Sequence, residues 1–338
     1  MLKDSLYILR LKHFEIKTLE IKSQCLKKNP LGDPSLRLNP LLVPKVPRSS
    51  YPVILVLSGF TGNGPKYFGP KSFEKNFPET LDFLVAHKKA PTAIYVFVDA
   101  MTFWGGSQFI NSKGCGAYED YIIQELVPAI KHSFPTSSWC VMGGSSGGYG
   151  ALHLSTKYPK IFSVCGALAP DSFFESSLLP EFYTALPYIK KYGGIKGIKK
   201  LLKKEELFQK KHAHTIINAI AMGLCYAPHP HKKDEVLWPI DPQTGQLNKN
   251  VWKVYKKFDP LSFLPRRKKA LQQIHFYLDV GIYDQFHLQY GARQIKKIFE
   301  KFSASYFYSE FNGNHFDLHL RREPFFKWLK SLWDQKSV

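Results

Sequence analysis

Gly143-Gly144-Ser145-Ser146-Gly147-Gly148-Tyr149-Gly150-Ala151 is the stretch of this 338-residue chain best suited to chemistry. It holds G-x-S-x-G twice: Ser145 lies between Gly143 and Gly147, and Ser146 between Gly144 and Gly148. The apolar run SWCVM precedes it and ALHLSTKYP, with helical character, follows. A strand–turn–helix setting is what gives this motif its meaning. The turn strains the serine backbone, and the glycines let neighbouring backbone approach without a Cβ clash. The hydroxyl then stands at a helix N-terminus, where unpaired N–H groups and the dipole favour an anion. The chemistry is nucleophilic attack with a stabilised oxyanion. The pattern alone leaves both serines open.

A serine hydroxyl needs a base and an acid that orients the base. With a turn of this kind the chain order is Ser, acid, His. Asp279 lies inside the apolar run IHFYLDVG and reads as a structural hydrogen-bonding group. Asp284 falls in the loop after that run, where a catalytic acid belongs. Of 12 histidines, His315 in NGNHF is chosen by position, in a Gly-containing loop after the last apolar run. An oxyanion hole needs two donors. One is the N–H after the nucleophile, Ser146 if Ser145 attacks. The other comes from LSGFTGNG, with Phe60 preferred and Gly59 its close rival.

The elements that must hold these groups are short apolar runs. PVILVLSGF, TAIYVFVDA, SWCVMGG, IFSVCGALA, IHFYLDVG and ASYFYSEF lack polar alternation, as strands buried on both faces do. Helical periodicity falls between them. In YEDYIIQELVPAIKHSF, Tyr121, Ile122, Leu126 and Ile130 share one face. The alternation predicts an α/β fold with a mostly parallel sheet and helices on both faces. FEIKTLEIK alternates as a strand, and the Pro-rich NPLGDPSLRLNPLLVPKVP reads as an edge strand with turns. The rhythm fails between about 171 and 270, which reads as a large, partly helical insertion.

Composition narrows the classes. Lys and Arg number 47 against 27 Asp and Glu, a net charge of +20. Nine of the lysines lie between Lys190 and Lys211, in the insertion. That block reads as a solvated helix face, with an anionic surface or partner as the functional alternative. No nucleic-acid module accompanies the charge, so nucleic acid is not expected. A hydrophobic fraction of 44% excludes a disordered chain. No run reaches about 18 apolar residues, and the start is too charged for a secretory signal. Five dispersed cysteines do not form a disulfide framework or zinc site, which favours a reducing cytoplasm. The pairs His212/His214 and His229/His231 lack partners at ligand spacing, so no metal is expected. No G-x-G-x-x-G after a strand and no P-loop is present, so no cofactor is expected.

GGSSGGYGALHLSTKYPKIFS resembles the nucleophile segment of the Putative esterase family of α/β-hydrolases. That family includes esterase D (S-formylglutathione hydrolase), enterochelin-esterase-like enzymes and mycolyltransferases. The likeness extends to VILVLSGFTG, FVDAMTFWGGSQFINS, GAYEDYIIQELVPAI, DVGIYDQFHLQYGAR and EFNGNHF. It covers most of the chain from about residue 28. The resemblance implies an α/β-hydrolase fold and resolves the register to Ser145 as nucleophile. It supports Asp284 as acid, His315 as base, and the N–H groups of Phe60 and Ser146 as oxyanion donors. The Lys-rich insertion is longer or more basic than the family pattern, and Gly144 is smaller than its usual counterpart.

The expected organisation is an N-terminal basic strand/turn segment, 1–50, packed on a hydrolase domain, 51–338, with a cap-like insertion at about 171–270. Gly59, Trp104 and Tyr149 are expected at the substrate pocket. Asp171, Phe173 and Glu175 follow a core strand and either face the site or form ion pairs in the insertion. The expected activity is hydrolysis of a small-molecule carboxylic ester or thioester through an acyl-enzyme. The competing readings are an acyltransferase with the same triad, and a non-catalytic module that binds an anionic partner. Substrate identity and oligomeric state are not specified by fold and triad.

Overall fold

The computed structural model of the protein describes residues 9–335. Eight strands form one sheet: β1 (Phe14–Lys22), β2 (Leu36–Pro44), β3 (Tyr51–Leu57), β4 (Ile94–Phe97), β5 (Thr136–Gly144), β6 (Val164–Leu168), β7 (His275–Gly281) and β8 (Ser305–Phe311). Their order in space is β1-β2-β4-β3-β5-β6-β7-β8. β2 runs antiparallel to both β1 and β4, and all later pairs are parallel. The fold is that of an α/β-hydrolase.

The unbroken apolar runs are explained by burial on both sides. Along β3, Val53, Leu55 and Leu57 belong to one core cluster, Ile54 and Val56 to the other. Helix α1 (Phe77–Ala86) and helix α9 (Arg322–Gln335) cover the second face through Leu81, Leu84, Phe325, Phe326 and Leu329. Helix α2 (118–133), helix α3 (Ser146–Lys157) and helix α8 (Leu288–Lys301) cover the first. The predicted face Tyr121, Ile122, Leu126 and Ile130 is fully buried there. Each such apolar side chain contributes about 1.5–3 kcal/mol on burial, so the sheet is held mainly by its two faces.

The Pro-rich segment differs from expectation. β2 is internal and β1 is the edge. β2 pairs with β1 over its whole length but with β4 only at Leu41 and Leu42, so Pro40 and Pro44 interrupt little of the ladder.

Between β6 and β7 the chain leaves the sheet for about a hundred residues. It forms helix α4 (Leu179–Lys191), helix α5 (Gly194–Lys203), helix α6 (Ala213–Tyr226) and helix α7 (Lys249–Lys256). On α5, Ile195 and Ile198 are buried while Lys196, Lys200 and Lys203 are exposed. No helix among the described residues is long and apolar enough to cross a membrane.

One buried carboxylate ties α2 to α3. Glu119 accepts from His153 Nε2 at 2.7 Å, Lys157 Nζ at 2.6 Å and the Tyr158 hydroxyl at 2.5 Å. Burial pushes Glu119 up, but these three hydrogen bonds and the electrostatic pull of His153 bring it down to about 2, from an ordinary 4.5. Burial lowers His153 below its ordinary value, against its hydrogen bond to Glu119, and Lys157 completes the ion pair at 2.6 Å. A depressed carboxyl stabilises the fold above its unfolded pKa and loses that contribution as pH falls towards the folded value. Glu119→Gln should therefore cost about 2–4 kcal/mol at pH 7. In urea melts the gap to wild type should close as pH falls from about 4.5 to about 2. A constant gap across that range would show that the charge is not what matters.

Candidate active site

Ser145 sits alone at the turn between β5 and α3, with φ 57° and ψ −125°. Ser146 is already helical, and its side chain is buried. The geometry thus distinguishes the two serines that the pattern left open. The turn is fixed by Ser145 N–H donating to the Leu168 carbonyl at 2.9 Å and by Tyr149 N–H donating to the Ser145 carbonyl at 2.9 Å. The glycines two residues either side are required by contact. A Cβ on Gly147 would lie 2.4 Å from the Leu57 carbonyl oxygen, and one on Gly143 2.5 Å from the Gly147 carbonyl carbon. Neither obstacle is a flexible side chain. Gly147→Ala should destabilise the protein by about 1–3 kcal/mol or more, as overpacking does. A chemical melt that overlays wild type would refute this account of the turn.

His315 and Asp284 come from neighbouring loops after β8 and β7. The loops are laced by Ile282 N–H to the Phe311 carbonyl at 3.0 Å and Tyr283 N–H to the Gly313 carbonyl at 3.0 Å. His315 Nδ1 lies 2.7 Å from Asp284 Oδ2. A carboxylate only accepts, so Nδ1 carries the proton and Nε2 is left as the acceptor. Asp284 Oδ1 accepts from Phe286 N–H at 2.9 Å, at the start of α8, where the helix dipole favours a carboxylate. His315 N–H donates to Gln285 Oε1 at 3.0 Å, and the Phe286 ring meets the imidazole edge-on at 4.8 Å. Both members of the pair are buried. Asp279, by contrast, is held by Arg321 Nε at 2.7 Å and Ser309 Oγ at 3.1 Å, a structural role as its place in the strand implied.

Gly59 and Phe60 follow β3 and lie beside the turn. A Cβ on Gly59 would be 3.7 Å from Ser145 Cβ. Ser145, His315, Gly59, Phe60 and Ser146 all line one cavity of about 450 Å³.

Asp171 also enters this cavity. Its Oδ1 accepts from Ser145 Oγ at 3.3 Å, and its Oδ2 from Ser146 Oγ at 2.9 Å and Gln108 Nε2 at 3.2 Å. Burial raises its pKa, opposed by these hydrogen bonds and by His315. Glu175 instead pairs with Lys256 at 2.6 Å, and Phe173 N–H donates to Asp259 at 3.2 Å. Across the cavity, Glu181 on α4 is bonded by Asn218 Nδ2 from α6, and burial pushes it up to about 7.

Trp104 and Tyr149 do not line the cavity. Trp104 is 1% exposed, because Met101–Thr102 and Gly105–Gly106 pair as a tight hairpin that turns the indole inward. Tyr149 is the fourth residue of α3 and lies beneath the floor, stacked on His153 and edge-on to Tyr226. Tyr226 is what the cavity meets. Gln108, Glu181, Asn218, Met222, His319 and Arg322 were not singled out from the sequence. Only their positions across the fold, not local motifs, bring them together.

A strained serine at the strand–helix turn, with a buried His–Asp pair facing the same cavity, defines a hydrolase of the serine class on this fold. The chain belongs to the Putative esterase family, whose model matches residues 39–326. No curated protein matches it in sequence. Among solved structures it is similar to a ferulic acid esterase, at 16% identity and a TM-score of 0.61, over 94% of this chain and 98% of that one. It is also similar to a fluorophosphonate-binding serine hydrolase of Staphylococcus aureus, at 11% identity and a TM-score of 0.58, over 94% and 99%. An S-formylglutathione hydrolase from Agrobacterium tumefaciens matches at 16% identity and a TM-score of 0.57, over 94% and 95%. At these identities the likeness is one of fold.

Proposed function

We propose that this esterase hydrolyses small carboxylic esters or thioesters through a covalent acyl-enzyme, with Ser145 as nucleophile, His315 as base and Asp284 as orienting acid. The observation that carries the reading is the buried 2.7 Å His315–Asp284 bond facing the cavity that Ser145 lines. In the resting arrangement the Ser145 hydroxyl donates to Asp171. The first step is rotation of that hydroxyl to His315 Nε2. Oγ then attacks the acyl carbon as Nε2 takes its proton. The N–H groups of Phe60 and Ser146 receive the oxyanion. His315 returns the proton to the leaving alcohol or thiol, and Asp284 balances the imidazolium meanwhile. Water, deprotonated by the same nitrogen, attacks the acyl carbon and releases the acid.

The stretch 171–270 acts as the cap, since Glu181, Asn218, Met222 and Tyr226 all come from it, and of the segment 1–50 the part from residue 9 adds the outer strands to the core, residues 1–8 lying outside the described residues. The support for a cytoplasmic location is the sequence, whose five cysteines have no spacing of a disulfide framework. Intact mass after a fluorophosphonate reaction should show one adduct, and peptide mapping should put it on Ser145. An adduct on Ser146, or none, would overturn the assignment.

A further inference from the structure

Beside the turn, opposite the two carboxyl groups Asp171 and Glu181, lies a second chamber of about 250 Å³ that also opens on Ser145 and His315. Its walls near the serine are apolar: Val56, Leu57, Met142, Leu168 and Leu318. Gly144 lines it without a side chain. A Cβ there would meet Leu318 Cδ1 at 3.5 Å, Leu168 oxygen at 3.7 Å and Leu168 Cβ at 3.9 Å, which are ordinary contacts. A longer side chain at that position would project into the chamber.

The fixed charge in this chamber is positive: Arg322 lines it, and no Asp or Glu does. Arg322, the first residue of α9, lies over the Phe77 ring at 3.9 Å and the Tyr67 ring at 5.2 Å. Among the described residues no carboxylate lies within 4.0 Å of it. The neighbouring Arg321 is held by Asp279, and Glu323 is taken by Lys89 and Lys327. Burial works against the Arg322 charge, and Tyr67 offsets only part of that cost. A guanidinium so placed is a preorganised fork for a carboxylate or similar oxyanion. In the wider cavity Lys66 adds positive potential, while Lys71 is paired with Glu74 at 2.7 Å.

We propose that Arg322 anchors an anionic group carried by the substrate, so that the preferred substrates are esters with a short apolar chain ending in a carboxylate. This deepens the esterase reading above and rests on it. The Gly144 chamber takes the chain, Arg322 takes its terminal anion, and the ester carbonyl is left at Ser145. The carboxylate is supplied by the acyl half or by the alcohol half, and the same contacts serve either.

The test compares matched substrates that differ by one charge. Mono-p-nitrophenyl glutarate against p-nitrophenyl butyrate probes the acyl half, and 3-carboxyphenyl acetate against phenyl acetate probes the alcohol half. For at least one pair, wild-type kcat/KM should favour the anion, and Arg322→Met should lower the anion-to-neutral ratio about 10- to 100-fold, the range of a charged hydrogen bond. Arg322→Lys should restore part of the ratio. Gly144→Val should cut the longer anionic ester more than p-nitrophenyl acetate. Equal rates within both pairs, or an Arg322→Met loss shared equally by anion and neutral, would overturn the proposal. Glutarate binding to the Ser145→Ala protein, measured by calorimetry, gives a readout without turnover. Binding that Arg322→Met removes supports the anion site even if no ester is hydrolysed. Absence of glutarate binding, with neutral esters hydrolysed normally, removes the anion site and leaves the esterase reading standing.

Discussion

Ser145→Ala is expected to lower kcat for a short p-nitrophenyl ester by three to six orders of magnitude, on the order of what loss of a serine nucleophile costs elsewhere. The size follows from what is removed. Without Oγ there is no acyl-enzyme, and water must attack directly, helped by His315, the proposed N–H donors and the binding cavity. The variant keeps all of these, so some residual rate over water remains. The strain at the turn also remains, because alanine at φ 57° is no more comfortable than serine. Stability should hence change little, which separates a chemical loss from a folding loss. Near-wild-type turnover by Ser145→Ala would sink the triad assignment.

The second large effect is expected at Asp284. In Asp284→Asn the side-chain oxygen keeps the Phe286 N–H at the head of α8, and the new NH2 turns to His315. An NH2 group donates, so Nδ1 must now accept and the proton moves to Nε2. That is the wrong tautomer to receive the Ser145 proton. The expected loss in kcat is on the order of 10⁴-fold with KM much less affected. Combined with Ser145→Ala it should add almost nothing, since the residues act as one unit. A loss below about tenfold for Asp284→Asn would mean that another acid orients His315, and Asp171 would be the group to examine.

The core strands and the Ser, Asp and His turns were legible because each is a local statement. Two-faced burial writes itself as an unbroken apolar run, and a sharp strand–helix turn demands glycines at fixed offsets. Asp279 and Asp284 could be told apart because one lies within the run and the other past its end. Trp104 lies away from the cavity, and its position after a strand says nothing about which way a six-residue hairpin folds. The internal place of β2 was hidden for a similar reason: prolines tell where a ladder is weak, not whether a neighbour covers only two residues of it. Arg322 and Gln108 carried no local signal at all. What sets Arg322 apart is that no described carboxylate pairs with it, and that is visible only when α9, α1 and the loop after β3 are assembled. Gln108 reaches Asp171 and Ser146 across 63 and 38 positions of chain.

The three side chains proposed to react come from three separate turns at the ends of β5, β7 and β8. The opposite wall comes from one continuous excursion between β6 and β7. That division has a consequence for how such a protein can diversify. Changes in a single contiguous stretch of coding sequence can reshape what the cavity accepts while every group that moves a proton stays where it is. The chamber at Gly144 lies on the other side, lined by strand ends, the serine turn and residues at or just before the starts of α1 and α9. An anchor built there would outlast successive remodellings of the wall.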